Sequence, residues 1–256
     1  MKLLVVIAAL PFCTAASSLD IMQTPAGNFP HVAENFVLQD FNAQDRPEEV
    51  PITHTLQNRY IYSNCFEPAS CYRDAPEGAV VFRVPSGFAS TTNSHYPRVE
   101  LRAKRDFKLG NSFDITQSGE AYILQNPQTR SIIFAQIHGD KPGGSELLKL
   151  RWDNGSIVAG TKEHCGAPEN KKLLLTGVEL GQKISYTIKA RGTGASMILR
   201  IKVSAGGRVS KQIFAFPASG WSDVALYFKA GNYNQSSSLD GSTAIVAYSA
   251  LKIQYK

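Results

Sequence analysis

The sequence predicts an all-β protein, an antiparallel β-sandwich of the jelly-roll type with an open concave cleft. Three observations predict this fold class. Short runs rich in β-branched and aromatic residues recur after Gly78, with turn residues between them. Apolar residues nowhere keep a helical 3.6-residue spacing over a long stretch, so no long helix is expected. The series of runs is continuous and has no internal repeat, which favours one domain.

The strands can be placed along the chain by these runs. A first strand is expected near residues 36–40. Asp153-Asn154-Gly155 lies between two later runs and is a strong hairpin signal. The later strands are predicted at residues 79–84, 98–103, 113–116, 120–124, 131–138, 146–152, 156–158, 173–175, 183–191, 197–203, 211–217, 224–229 and 244–255.

Residues 1–16 are expected to be a secretory signal peptide. Lys2 gives a positive start, Leu3–Leu10 is apolar, and Thr14-Ala15-Ala16 offers the small residues of a cleavage site. The stretch is too short for a membrane span, and no later segment reaches the roughly 18 apolar residues that a span needs. We therefore expect a secreted, extracellular protein that does not bind a membrane.

Residues 17–256 are expected to form a single domain, in which 17–78 is an irregular N-terminal part. Cys65 and Cys71 could close a short local loop in an oxidising compartment. Cys165 is then unpaired, or it pairs with one of the other two. No Cys-x-x-Cys pair is present, which argues against a zinc site.

The net charge of +6 predicts attraction to polyanions. For a secreted protein, these are acidic polysaccharides or extracellular nucleic acid. No arginine-rich run, zinc finger or RNA-recognition motif is present, so nucleic acid is not an expected partner. A merely basic secreted protein is the alternative that charge alone leaves open.

Three predicted strands have unusually polar faces. Tyr227, Lys229, Tyr233 and Gln235 share one face of the run 227–235, because successive side chains of a strand point to opposite sides. A plain structural strand rarely presents so many long donor side chains. For this run alone, the alternative is an amphipathic strand with a solvated face.

Arg98, Glu100 and Arg102 share one face of the second such strand. A glutamate between two arginines can pair with both and fix their direction. In the third strand, Gln136 and His138 are expected to share a face with Phe134, because the three residues occupy every second position. A surface ion-pair ladder and a structural histidine are the alternatives for these two strands taken singly.

If the three strands are neighbours in one sheet, their polar faces form a cationic groove. A glycosidase needs two carboxylates across the scissile bond, and the groove offers one. No nucleophile elbow supports a serine triad, and metal-ligand spacing is absent. Hydrolysis is therefore disfavoured, and no metal or cofactor is expected. The groove would contain Arg98, Glu100, Arg102, Gln136, His138, Tyr227, Lys229, Tyr233 and Gln235.

One reaction suits this set of groups, the β-elimination of an acidic polysaccharide at a uronate. The C5 proton becomes removable when fixed donors neutralise the adjacent carboxylate and stabilise the developing enolate. A base must take that proton, and an acid must protonate the departing O4 oxygen. Arginine and an amide suit the neutralisation of the carboxylate, and histidine and tyrosine suit the two proton transfers.

The three motifs resemble the signatures of polysaccharide lyase family 7, a family of alginate lyases. They are Arg98–Arg102, Gln136–His138 and the run 227–235, they occur in the family's order, and Tyr96-Pro97 precedes the first as in the family. The likeness covers roughly residues 79–256. It implies a jelly roll that binds alginate and cuts its 1,4-glycosidic bond by β-elimination, which leaves a 4,5-unsaturated uronate at the new non-reducing end.

The resemblance also implies roles for the groove residues. Arg98 and Gln136 would neutralise the C5 carboxylate. His138 would take the C5 proton of guluronate, Tyr233 would protonate the leaving oxygen, and for mannuronate Tyr233 would do both. The substrate-binding set would be Arg102, Lys229 and Gln235 on the flanking sugars, Tyr227 lining the cleft, and Glu100 orienting the arginines.

The motifs depart from the family's pattern at two positions. Val99 stands where Ser or Thr is usual and Asn232 where Val or Ile is usual, and both are expected to face away from the groove. Ile137 tends in the family to accompany activity on guluronate-containing blocks. Two glycosylation sequons begin at Asn154 and Asn234, and the second is expected to stay unmodified because a glycan there would obstruct the cleft.

Two alternatives accompany the alginate lyase hypothesis. One is a lyase of the same fold that acts on another polyuronate, such as glucuronan. The other is a non-catalytic lectin for acidic glycans, in which His138 and Tyr233 would have no chemical task. The enzyme is expected to be a monomer that acts endolytically, and the loops 86–97, 139–145 and 232–243 would decide block preference and product length.

Overall fold

The computed structural model describes residues 19–42, 44–52, 57–88, 95–141 and 145–256. The expected signal peptide lies outside the described residues, as do parts of the loops 86–97 and 139–145. The helices of the described part are short: α1 is Pro25–Asn28 and α2 is Pro30–Asn35. No helix in these ranges is long and apolar enough to cross a membrane.

The described part contains fifteen strands, all paired in antiparallel fashion. The first eight are β1 (Phe36–Phe41), β2 (Pro47–Pro51), β3 (Ile61–Ser63), β4 (Val80–Pro85), β5 (Arg98–Ala103), β6 (Ser112–Gln125), β7 (Ser131–Gly139) and β8 (Leu148–Asp153). The others are β9 (Ser156–Thr161), β10 (Asn170–Leu175), β11 (Lys183–Thr193), β12 (Ser196–Ala205), β13 (Arg208–Pro217), β14 (Leu226–Asn234) and β15 (Thr243–Tyr255).

These strands form two sheets. Sheet A has eight strands in the order β10-β9-β8-β7-β14-β5-β1-β2, and sheet B has seven in the order β13-β12-β11-β6-β15-β4-β3. Aromatic and aliphatic side chains from both sheets meet between them, among them Phe36, Phe82, Phe134, Phe228 and Tyr248. Burying one such side chain contributes about 1.5–3 kcal/mol. The prediction of an all-β antiparallel sandwich is confirmed.

The prediction of two separate strands at residues 113–116 and 120–124 is wrong. The runs 113–116 and 120–124 are a single strand, β6, because the intervening residues continue the ladder with β11. Gln117 is buried and Gly119 lies against the ring of Tyr186, where a Cβ would come within 2.8 Å of the ring. A polar residue and a glycine on the core face therefore concealed the alternation that otherwise marks a strand.

The N-terminal part contributes strands to both sheets. β1 and β2 extend sheet A beside β5, and β3 extends sheet B beside β4. Cys65 and Cys71 form a disulfide, and Cys165 is free. Tyr72 and Ala75, which follow the disulfide, pack in a second hydrophobic cluster on the outer side of sheet B, which includes Tyr62 and Tyr122. N-terminal strands and a stapled loop thus complete the sandwich rather than merely lie on it.

A β-bulge in β7 re-aims the side chains of this strand. One extra residue lies between Ile133 and Ala135 in the pairing with β8, so Phe134 and Ala135 both belong to the core between the sheets. The expectation that Phe134 shares a face with Gln136 and His138 is therefore wrong. Phe134 instead packs edge-on against an aromatic ring of sheet B.

A second bulge lies in β14, opposite β7, between Ala230 and Tyr233. Gly231 in this bulge has φ +144°, and a Cβ there would lie 2.7 Å from the carbonyl oxygen of Val99 and 2.8 Å from Cα of Glu100. Only glycine permits this approach of β14 to β5. The bulge thereby brings the backbones of two site-bearing strands together.

Polar side chains tie the bulged strands to sheet B through the core. The Tyr248 hydroxyl donates to the carbonyl of Phe134. Gln117 donates to the carbonyl of Lys229, and Asn232 donates to two carbonyls of sheet B at 2.9 Å each. Bulges interrupt ladder hydrogen bonding, and buried carbonyls need donors. The unusual Asn232 therefore faces the core, as expected, and serves as a link between the sheets.

Candidate active site

The three polar-faced strands are adjacent in sheet A, with β14 between β5 and β7. Tyr233 lies opposite Arg98 and Lys229 opposite Arg102 on one side. On the other side, Lys229 lies opposite Gln136 and Tyr227 opposite His138. We call this outer side of sheet A the cleft face. The partly exposed members of the expected groove are Arg98, Arg102, His138, Tyr233 and Gln235, and Tyr227 is just buried.

Glu100 and Lys229 lie beneath the cleft face. Their exposed fractions are 0% and 1%, and Lys229 Nζ donates to Glu100 Oε2 at 2.5 Å. Gln136 Nε2 donates to the other carboxylate oxygen at 2.5 Å, and Arg98 Nη1 lies 3.8 Å from Oε2. The expectation that Lys229 holds a flanking sugar is not supported by this burial. Both residues are placed to position the groups above them.

The charges of this cluster stabilise each other. Burial alone would raise the pKa of Glu100, but the charges of Lys229 and Arg98 hold that pKa below its ordinary value. Burial lowers the pKa of Lys229 to about 8, although the Glu100 carboxylate opposes this shift. Both groups therefore remain charged at neutral pH, as a buried ion pair with a hydrogen bond to Gln136.

Two polar atoms of the cluster have no hydrogen-bond partner among the described residues. They are Arg98 Nε and Gln136 Oε1, both buried. An unsatisfied buried polar group costs about 1–3 kcal/mol, and such groups deserve a functional explanation. Arg98 thus keeps a donor for an anion. The Gln136 amide nitrogen uses one of its two hydrogens on Glu100 and retains the other.

The His138 ring has a defined tautomer. Its Nδ1 lies 2.8 Å from the carbonyl oxygen of Gly139, which can only accept, so Nδ1 carries the hydrogen. In the neutral ring, Nε2 then has the free lone pair of a base. Burial, followed by the charge of Lys229, lowers the pKa of His138 to about 4, so the ring is neutral at neutral pH. Tyr227 stacks on this ring with centroids 5.7 Å apart.

Two tyrosines of the cleft face lie under guanidinium groups. Arg98 Cζ is 3.9 Å from the ring centroid of Tyr233, and Arg102 Cζ is 3.9 Å from that of Tyr227. Tyr96 contacts Tyr233 edge-on at 6.3 Å. Such cation–π contacts fix the rings and place positive charge beside the phenols. Arg102 is held from its other side by Asp106 at 3.1 Å.

The sequence interpretation missed a second cationic group on the cleft face. Lys149 lies opposite Gln136 on β8, and Arg151 is the next outward residue of that strand. Lys149 and Lys162 both donate to one oxygen of Glu146, at 2.6 and 2.9 Å. The alternation of Leu148–Asp153, with basic residues at every second position, was the available signal. Arg151 pairs with Glu169 at 2.5 Å, so these three cations and two carboxylates form an ion-pair network with a net charge of +1.

No group of three or more His, Cys, Asp or Glu side chains is placed to hold a metal ion within the ranges that the structure covers.

Asn234 of the second sequon is buried, and its amide donates to the Val84 carbonyl and the Ser86 hydroxyl. This burial, rather than obstruction of the cleft, keeps Asn234 from a glycosyl transferase in the folded state. Asn154 of the first sequon is exposed in a turn.

Comparison with known proteins gives one family. The family model described as "Alginate lyase" matches residues 44–255. No protein of curated function matches the chain significantly. The match spans most of the described sandwich, including all three polar-faced strands.

Several solved structures that share this fold are alginate lyases. A variant of the family 7 alginate lyase A1-II′ in complex with product (GGG) has a TM-score of 0.72 and 24% identity, over 91% of this chain and 99% of that chain. The alginate lyase PA1167 from Pseudomonas aeruginosa has a TM-score of 0.71 and 22% identity, over 88% and 99%. An alginate lyase from Klebsiella pneumoniae has a TM-score of 0.71 and 17% identity, over 91% and 99%. Because these sequence identities are below 25%, the structural similarity shows that the fold is shared.

Proposed function

Because the chain belongs to the alginate lyase family and is therefore a polysaccharide lyase, we propose that it cleaves the 1,4-glycosidic bond of alginate by β-elimination. The product would carry a 4,5-unsaturated uronate at its new non-reducing end. The observation that carries this proposal is that three neighbouring strands present the required groups on one face. Arg98 lies opposite Tyr233, Gln136 and Arg98 both contact Glu100, and His138 is the next outward residue of β7 after Gln136. The related lyase A1-II′ has been crystallised with a GGMG substrate.

The first task is to neutralise the uronate carboxylate. Arg98 has a buried Nε–H without a partner, and Gln136 retains an amide hydrogen. Fixed donors in a site of low dielectric stabilise the charge that develops on the carboxylate as the C5 proton leaves. Glu100 holds both side chains from below, so they need little reorganisation when the substrate binds.

The second task is the transfer of two protons. His138 Nε2 takes the C5 proton of guluronate, and the electron pair of that bond delocalises onto the carboxylate as an enolate, from which it forms the C4–C5 double bond as O4 departs. The C4–O4 bond then breaks, and the Tyr233 hydroxyl donates its proton to the departing O4 oxygen. For mannuronate, whose C5 proton lies on the leaving-group side, Tyr233 acts as a phenolate, which takes the C5 proton and then returns it to O4.

Substrate binding falls to the exposed groups around this centre. Arg102 and Gln235 would hold the flanking sugars and Tyr227 would line the cleft, while Glu100 and Lys229 act by positioning. Eight adjacent strands span about 34 Å at the usual strand spacing, which supports an endolytic mode on a long polymer. We propose that the enzyme is a secreted monomer, and the Cys65–Cys71 disulfide supports an oxidising compartment.

Ultraviolet absorbance tests the proposal, because elimination creates a conjugated double bond that absorbs, whereas hydrolysis and binding do not. We expect a rise on mixing with polymannuronate or polyguluronate. A rise in absorbance with glucuronan alone would show that the enzyme is a lyase of another polyuronate. Binding to alginate with no rise on any of the three polymers would contradict a lyase and favour a lectin.

A further inference from the structure

The outer face of sheet B has a net charge almost as large as that of the whole chain. On the strands β13, β12, β11, β6 and β15, the outward side chains include seven basic and two acidic residues, a net charge of +5, whereas the whole chain has +6. The acidic residues are Asp114 and Glu120. The basic residues, which we call the cationic face, are Lys183, Lys189, Arg191, Arg200, Lys202, Lys211 and Lys252.

The strand register places like charges directly opposite each other. Arg200 lies opposite Lys189, and Lys202 lies opposite Lys211, in two successive rows. Opposite side chains on neighbouring strands have their Cβ atoms about 4.5–5.5 Å apart, and like charges in such pairs destabilise a sheet. A sheet that served only as the back of the sandwich would gain stability from polar or oppositely charged residues at these positions.

Most of the cationic face lacks internal neutralisation. Lys189 pairs with Asp114 at 3.1 Å and Lys183 with Glu120 at 3.2 Å. The other five members have no carboxylate within 4 Å among the described residues, and all five are exposed. Serine and threonine hydroxyls lie between them, for example Thr187 opposite Lys202. The surface thus offers charges and hydrogen-bond donors to a ligand of opposite charge.

We propose that the cationic face is a second, non-catalytic binding surface for the polyuronate chain, on the side of the sandwich opposite the cleft face. The proposal rests on the proposed function, because it takes the substrate polymer as the ligand. A polyuronate carries one carboxylate on every sugar, and the face repeats its cationic rows about every 6.6 Å along the strands. Binding there keeps the enzyme on the polymer and raises the local concentration of bonds for the cleft.

The test uses the inactive Tyr233→Phe enzyme as background, so that alginate is bound and not cut. One variant adds Arg200→Gln, Lys202→Gln and Lys211→Gln, which breaks no ion pair. A control adds Arg46→Gln, Arg73→Gln and Lys108→Gln, three exposed cations that lie outside the cationic face and have no carboxylate partner in the described part of the chain. Both variants have the same net charge.

Affinity for polymeric alginate is then measured over a range of salt concentrations. The face variant should bind about tenfold more weakly at low salt, and the slope of log affinity against log salt should fall by roughly one to two, since fewer counterions are released. The control should bind as the background does. Unchanged affinity of the face variant, or an equal loss in the control, would overturn the proposal.

The same substitutions in the active enzyme separate this proposal from the proposed function. The face variant should cut an alginate tetrasaccharide with unchanged kcat/KM, because so short a chain occupies only the cleft, while its KM for the polymer rises several-fold. If the parent enzyme is active and the face variant has the same KM for the polymer, only the second binding surface would be overturned. An enzyme that cuts no polyuronate would remove the proposed function itself.

Discussion

At the residue scale, the site depends on a carboxylate that never meets solvent. Glu100 accepts from Gln136 and Lys229 and attracts Arg98, so one buried side chain directs three others. The sequence predicted that Glu100 pairs with both Arg98 and Arg102, because glutamate alternates with them on one strand face. Of these two arginines, only Arg98 lies within 4 Å of Glu100 among the described residues, and Arg102 pairs with Asp106 instead. The sequence did not predict that Lys229 is buried, since strand alternation gives the direction of a side chain and not its depth.

The ion pair predicts a specific pattern of stability. Glu100→Gln leaves Lys229 buried without its counter-charge and should destabilise the fold by about 3–5 kcal/mol, measured by denaturant unfolding. The double variant Glu100→Gln with Lys229→Met removes both charges and should recover most of that loss. Its turnover should stay low, since Arg98 and Gln136 have lost their support. Equal stability of wild type and Glu100→Gln would argue against the buried pair.

Removal of one hydroxyl should separate chemistry from binding. Tyr233→Phe keeps the ring under the Arg98 guanidinium but cannot donate a proton. We expect kcat to fall by about 10²–10⁴, with alginate affinity changed less than about threefold. Tyr122→Phe is the matched control, because Tyr122 lies in the hydrophobic cluster on the outer side of sheet B. Turnover that survives in Tyr233→Phe would exclude this tyrosine from the mechanism.

His138 predicts a dependence of stability on pH. Its pKa is about 4 in the folded protein and about 6.5 when unfolded. The unfolded chain therefore binds more protons between these values, so the contribution of His138 is complete above pH 6.5 and is lost as pH falls towards 4. Partial exposure limits this loss to about 2 kcal/mol. Unfolding of His138→Gln should show less loss over the same window, whereas exposed His164→Gln should follow the wild type.

At the scale of elements, local pattern predicted most strands and missed what depends on their partners. The position of β5 was predicted to the residue, and most later strands to within a few residues, because alternating apolar runs end at turn residues. β2 was missed because its residues are polar and proline-bounded, and β3 because three residues make no pattern. The bulges of β7 and β14 arise from the pairing register, which one strand's sequence does not contain.

The bulge in β14 gives a prediction for this element. Gly231→Ala combines a positive φ with a clash against the Val99 carbonyl, and it should destabilise the fold by roughly 2–3 kcal/mol and lower turnover by displacing Tyr233. Gly207→Ala is the control, since Gly207 has φ +77° but no atom near its absent Cβ. It should cost about 1 kcal/mol and leave turnover unchanged. Equal losses of stability and turnover in both variants would contradict the close approach of β14 to β5.

At the scale of the whole molecule, the two outer faces of the sandwich have different tasks. Sheet A presents the reactive groups, while sheet B carries the cationic face and, towards its β3–β4 edge, the second hydrophobic cluster. The polar cross-links from Asn232, Gln117 and Tyr248 connect the sheets beneath the site. Substitutions on the outer side of sheet B should therefore lower the free energy of unfolding and leave kcat unchanged, as long as these links persist.

The disulfide tests that separation. Replacing both Cys65 and Cys71 with alanine opens a loop of about seven residues and should destabilise the protein by about 2 kcal/mol. The segment that follows the disulfide packs on the outer side of sheet B, so kcat and KM on alginate should not change. Wild-type Tm should fall when a reductant is added, while the Tm of the double variant should not respond. Cys165→Ala, which removes the free thiol, should keep the wild-type response to reductant. A fall in kcat that accompanies the loss of the disulfide would show that the two faces are coupled.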